Sequence, residues 1–147
     1  MANTQILKEK VEPFVRQWLR ERFKVSFESK EIVLGRAMKL NGKHEFDAVS
    51  EDGKIIAGII SSGGKTSRQK NPSGKIKKAI AEIYFLSLVE VDKRLLVLTD
   101  PDFFKIMRKE MVGKLAEGIE IVCCPLPAKL QEEVNRMRKI ASEEVGG

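Results

Sequence analysis

In the run Glu45-Phe46-Asp47 two carboxylates stand two residues apart. On a strand, residues i and i+2 share a face, so Glu45 and Asp47 present their acids on one side about 7 Å apart, while His44 and Phe46 take the other. Two acids beside an apolar strand are costly unless they meet a cation, a hydrogen-bond donor or water. Mg²⁺ is a fitting partner, because it takes one or two carboxylates and keeps several waters. Glu45 and Asp47 are therefore the candidate metal ligands and the candidate catalytic acids. The plainer reading of the same run is an edge strand with a wet face.

A second feature is charge. The chain carries a net charge of +6 and has a pI near 9.4, and between Asp52 and Glu82 it contains no acid. That window holds Lys54, Lys65, Arg68, Lys70, Lys75, Lys77 and Lys78. Such a footprint suits a polyanion, and contacts to several phosphates make binding strongly salt-dependent. Lys65, Arg68, Lys70, Lys75 and Lys78 are the candidate nucleic-acid-binding residues. The plainer alternative is a solvated, lysine-decorated loop.

Other motifs carry less. Ser62-Gly63-Gly64-Lys65-Thr66 is similar to the end of a phosphate-binding P-loop, but the glycine required five residues before Gly64 is Ile59. Asp100-Pro101-Asp102 reads as a helix start, with Asp100 as cap, Pro101 at the first helical position and Asp102 favoured by the dipole. Cys123 and Cys124 are strand neighbours facing opposite sides, which suits packing and not a metal pair. His44 is the only histidine, and no serine or cysteine stands at a spacing that suggests a triad. Phe14, Trp18 and Phe23 fall at helical spacing and read as core rather than base-stacking platforms.

The elements that must position these residues follow from periodicity. Leu7, Val11, Phe14, Val15, Trp18 and Leu19 mark one helical face, with Pro13 kinking the helix or placing its start near Glu12. Val25 to Phe27, Ile32 to Leu34 and His44 to Val49 read as strand. Asp52-Gly53 is a hairpin turn, and Ile55 to Ile60 is apolar on both faces, the mark of a strand covered from two sides. A Gly/Ser/Lys-rich loop then leads to a helix from Lys75 to about Glu90, with Ile76, Ala79, Ile80, Ile83 and Leu86 inside. Arg94 to Leu98 is a strand, and Phe103, Phe104, Met107 and Met111 line the next helix. Ile119 to Cys123 is a strand, and Leu130, Val134, Met137 and Ile140 line a closing helix. At 147 residues this fits one α/β domain: a mixed sheet sandwiched by helices, in the order α-β-β-β-α-β-α-β-α.

That order, with Glu-Phe-Asp-Ala-Val-Ser before an Asp-Gly turn and Ile-Ile-Ala-Gly-Ile-Ile-Ser-Ser after it, resembles the PD-(D/E)XK, or restriction-endonuclease-like, nuclease superfamily over roughly Val25 to Cys123. The resemblance implies an acid at Asp47, then an acid and a lysine one residue apart on the next strand, the acids binding metal and the lysine positioning the attacking water. Asp47 matches. On the next strand the two key positions are either Gly58 and Ile60, by the turn register, or Ile59 and Ser61, by local sequence flavour, and a bulge would switch between them. Neither pair contains an acid or a lysine. Replacements would have to come from Lys65, Lys75 or Lys78 and from Glu82 or Glu21.

The sequence thus points first to a nucleic-acid-binding domain of restriction-endonuclease-like fold with a degenerate, inactive site, DNA ahead of RNA as partner. An active Mg²⁺-dependent nuclease with displaced catalytic residues is the alternative. A third reading is a protein-interaction or assembly module, as a homodimer or part of a complex. No apolar run is long enough to span a bilayer. The first residues lack the build of a signal peptide, and with only two cysteines a reducing cytoplasm is the expected compartment.

Overall fold

A computed structural model describes residues 5–34, 42–63 and 73–146, the last seven by backbone alone. Lys65, Arg68 and Lys70, and the P-loop-like stretch beyond Gly63, lie outside the described residues, as does the side chain of Ile140. A π-helical stretch, Leu7–Val11, runs into α1 (Glu12–Phe23), so the helix changes character one residue before Pro13. That position suits a proline, because the first turn needs no donor from it. Three strands follow, β1 (Phe27–Val33), β2 (Lys43–Ser50) and β3 (Ile55–Ile60). Then come α2 (Ser73–Ser87), β4 (Lys93–Leu98), α3 (Pro101–Glu110), β5 (Ile119–Cys123) and α4 (Ala128–Gly146). The order is the one expected from the sequence.

β1 departs from its expected form. It is one strand and not two pieces, because the polar stretch Glu28 to Glu31 continues it as a solvated sheet edge. Charged residues on an edge also discourage pairing with other chains.

Among the described residues five strands form one mixed sheet in the order β1-β2-β3-β4-β5. β1, β2 and β3 pair antiparallel, and β3, β4 and β5 pair parallel. Both parallel connections step the same way across the sheet. The right-handed crossover rule therefore puts α2 and α3 on one face. Ala79, Ile83 and Leu86 of α2 and Phe103 and Met107 of α3 pack there with Phe46, Ile56, Ile60, Leu96 and Leu98. The other face is left to the terminal helices: Val15 and Leu19 of α1 and Val134 of α4 meet Ala48, Ala57, Leu95 and Val97. β3 contributes alternately to both clusters, which explains its apolar run. Ile80, expected inside, is 39% exposed. One residue on from Ala79, it is turned about 100° round the helix and falls on its flank.

The hairpin is closed by side chains. Ser50 O accepts from Gly53 N–H at 2.9 Å, with Gly53 at a φ of 73°. Asp52 accepts from the Ser50 hydroxyl at 2.6 Å and from Lys54 N–H at 3.1 Å, and Ser50 Oγ accepts from Ile55 N–H at 2.9 Å. Asp100 caps α3 as expected, accepting from Phe103 N–H at 2.9 Å. Cys123 and Cys124 are free, and burial pushes the Cys124 thiol up to about 12. Among the described residues no helix is long and apolar enough to cross a membrane.

Two substitutions test this packing. Leu96 is fully buried on an interior strand, so Leu96→Ala is expected to cost about 2–5 kcal/mol. The Thr99 hydroxyl is buried without a hydrogen-bond partner among the described residues. Thr99→Val is therefore expected to raise the urea midpoint, since it removes an unsatisfied group and keeps the shape. A lowered midpoint in Thr99→Val would contradict that packing.

Candidate functional site

β2 carries a defect at the residue of greatest chemical interest. Glu28 pairs with Val49 and Lys30 with Phe46, so Asp47 and Ala48 together oppose Ser29. This is a β-bulge, with one extra residue on β2. It breaks the strand alternation expected from the sequence: Phe46 and Val49, three apart, both pack on the α2 side, while Ala48 packs on the α1 side.

Toward β3 the register is the one the Asp52-Gly53 turn predicts, with Ala48 opposite Ala57 and Val49 opposite Ile56. Two steps further that register would put Phe46 opposite Ile59. Instead the Asp47 carboxylate inserts, and its Oδ2 accepts from Ile59 N–H at 2.8 Å. The backbone carbonyl of Asp47 accepts from Arg16 Nε at 2.8 Å, and Arg16 Nη2 lies 3.2 Å from Glu12 Oε1. One side chain of α1 thus satisfies the carbonyl at the bulge.

β3 itself is regular: Ile55 to Ile60 pair without interruption with Lys93 to Leu98 of β4. Gly58 and Ile60 face the α2 side, and Ile59 packs on the other. The pair on the α2 side is a glycine and an isoleucine, so β3 offers neither acid nor amine there.

Glu82 takes the space above Gly58. A Cβ at Gly58 would stand 2.6 Å from Glu82 Cγ and 2.7 Å from its Oε1, so the missing side chain on β3 is what admits the α2 carboxylate. Both Glu82 oxygens lie 3.2 Å from His44 Nε2, and the His44 ring stacks on Phe85 at 4.1 Å. Glu21, the other candidate acid, is exposed on α1 and accepts from Gln17.

These groups line one pocket of about 380 Å³ at the carboxyl end of β3. Glu12, Glu45, Asp47 and Glu82 supply acids, while Lys75, Lys78 and Arg138 supply cations. Open α/β sheets commonly bind ligands in the crevice outside the carboxyl ends of their strands. The structure thus brings Glu45, Asp47, Lys75 and Lys78 together as the sequence suggested. Lys54 belongs elsewhere. It precedes β3, and the length of that strand, about 20 Å, separates it from the pocket end.

Glu12 and Arg138 were not foreseen. The four-residue spacing of Glu12 and Arg16 was a weak signal for the first. Nothing local distinguishes Arg138 from the other basic residues of α4.

Three of these carboxylates, Asp47, Glu82 and Glu12, resist ionisation. Burial pushes Asp47 up, and the Glu45 charge adds to that, against the Ile59 N–H and Arg16. Burial likewise raises Glu82, which Asp47 raises further and His44 opposes. Glu12 is raised by burial and then by Asp47. Burial depresses Lys75, and the neighbouring Arg138 charge adds to it. Among the described residues no three His, Cys, Asp or Glu side chains are placed to hold one metal ion. Asp47 and Glu82 both line the pocket, and a largely hydrated Mg²⁺ takes only one or two carboxylates.

No protein-family model, curated protein or solved structure matches the chain.

The acids have a stability consequence with a definite sign. Asp47, Glu82 and Glu12 each bind a proton more tightly in the folded chain than in the unfolded one. Their contribution to stability is therefore present below the unfolded pKa and is lost as pH rises through the folded pKa. Asp47→Asn keeps an acceptor for Ile59 N–H and removes the half-buried charge. It is expected to raise stability at pH 7 by about 0.5–2 kcal/mol. It should also flatten the decline just above the ordinary carboxylate range. Denaturation midpoints at about pH 4 and pH 7 bracket that range, and a less stable Asp47→Asn at pH 7 would contradict the assignment.

Proposed function

We propose that the chain is a nucleic-acid-binding domain of restriction-endonuclease-like architecture in which the nuclease site is degenerate. The observation that carries this reading is the pocket at the carboxyl end of β3, where Lys75, Lys78 and Arg138 face an apolar third strand. Three cations suit phosphate oxygens, and Arg138 offers a fork that Lys cannot. Ser61 and Ser62, also lining the pocket, add hydroxyls of the kind that position a sugar–phosphate backbone. The absence of acid and amine at Gly58 and Ile60 supports binding over cleavage.

One observation favours a second reading, Mg²⁺-dependent phosphodiester hydrolysis. Glu82 reaches over Gly58 and brings a carboxylate to the side of β3 where the superfamily pattern calls for one. Asp47 and Glu82 would then hold the metal, which when bound would neutralise phosphate charge and orient a water. Lys75 and Lys78, on the same helix as Glu82, would hold the phosphate.

Binding of single-stranded and duplex DNA and of RNA, followed by fluorescence anisotropy across salt, tests the first reading. A steep decline is expected, with a log–log slope of about −0.7 per phosphate contact for single strands. Lys78→Ala should reduce the slope by about one contact. A flat response would contradict the proposal. Incubation of the same substrates with Mg²⁺ or Mn²⁺ tests the second reading. Cleavage by the wild type that disappears in Asp47→Asn and Glu82→Gln would establish it, and intact substrates would exclude it.

A further inference from the structure

The cationic wall of the pocket contains an unmet demand for an anion. Arg138 Nη2 is buried and has no hydrogen-bond partner among the described residues. Its Nη1 lies 2.9 Å from where a Cβ on Gly63 would stand, so the guanidinium packs directly on that glycine. Lys75 stands beside it and donates to the Gly63 carbonyl at 3.3 Å. The charge opposing both is that of Asp100, whose carboxylate already caps α3. Arg138 Nη2 is thus a buried donor without an acceptor beside a second cation, and such a donor is costly until an acceptor reaches it.

We infer that Arg138 and Lys75 form a subsite for the terminal phosphate monoester of a nucleic-acid strand, held in the pocket with Ser61 and Ser62. This rests on the nucleic-acid reading above and specifies which part of the polymer enters. The reason is geometric. An internal phosphodiester is tethered on both sides, and its strand must continue past the site. A terminal monoester is tethered once, so it can project into a recess and reach a buried donor. It also brings close to two negative charges and three acceptor oxygens, where an internal diester brings one charge. A pocket of about 380 Å³ lies in the range of small-molecule sites, which suits the last nucleotide of a strand and not a duplex.

The test uses the full chain and one single-stranded DNA oligonucleotide with an internal fluorophore. It is prepared with a 5′-phosphate, a 3′-phosphate or hydroxyls at both ends, and also as a covalently closed circle. One phosphorylated form is expected to bind about tenfold or more tightly than the hydroxyl form, the scale of charge-assisted hydrogen bonds. The circle should bind no better than the hydroxyl form. Lys75→Gln and Arg138→Gln should each reduce that preference, and Arg138→Lys should restore it only in part, because charge returns without the fork. Circular dichroism of each variant checks folding, and Lys75→Gln, on a part-exposed residue, keeps the test informative if the Arg138 variants unfold. Equal affinity for all ends and the circle, or a preference unchanged in Lys75→Gln, overturns the inference and leaves the nucleic-acid reading standing. Failure to bind any form overturns both.

Discussion

The contact between the Asp47 carboxylate and Ile59 N–H is the one on which the site depends. A sheet is held by backbone donors and acceptors, and a side chain can replace a backbone acceptor only if the strands give it room. Here the room comes from the β2 bulge. The extra residue disrupts the β1 ladder locally, and Arg16 satisfies the Asp47 carbonyl. The carboxylate then sits between strands instead of on one face. One oxygen is used by the sheet, and the side chain also lines the pocket.

Everything else in the pocket is arranged around that insertion. α1 is tied to the bulge by Arg16, which brings Glu12 to the rim. α2 approaches closely enough for Glu82 to lie over Gly58, where any larger residue would displace it. His44, stacked on Phe85, holds Glu82 from the β2 side. The result is a pocket in which burial and mutual repulsion make Asp47, Glu82 and Glu12 hard to ionise and burial makes Lys75 and Arg138 hard to charge. Perturbed carboxylates and amines gathered in one cleft are a feature of functional sites, and structural ion-pair networks produce them too.

Much of the architecture was legible because it rests on local rules. The double-faced apolar run Ile55 to Ile60 announced a strand covered by two layers, and its residues do divide between the two core clusters. Asp100-Pro101 announced a capped helix, and the turn at Asp52-Gly53 announced the β2–β3 register. The bulge was not legible, since it depends on Arg16, thirty-one residues away in sequence, and on a side chain replacing a ladder bond. Glu45 and Asp47, expected as metal-binding acids on one face of a regular strand, do line the pocket, but β2 is bulged at Asp47. The basic window misled in one respect. A run that is continuous in sequence is split by β3, so Lys54 lies at one end of the sheet and Lys75 and Lys78 at the other, while Arg138 joins them from α4.

This pocket is where we propose that nucleic acid binds. Amide chemical shifts recorded while a single-stranded oligonucleotide is titrated in low salt test it most directly. The account predicts that the largest perturbations fall on Ile59, Ser61, Ser62, Lys75 and Glu82, with the hairpin at Asp52 to Lys54 unmoved. Perturbations confined to the hairpin or to the outer face of α1, with the pocket amides silent, would contradict it.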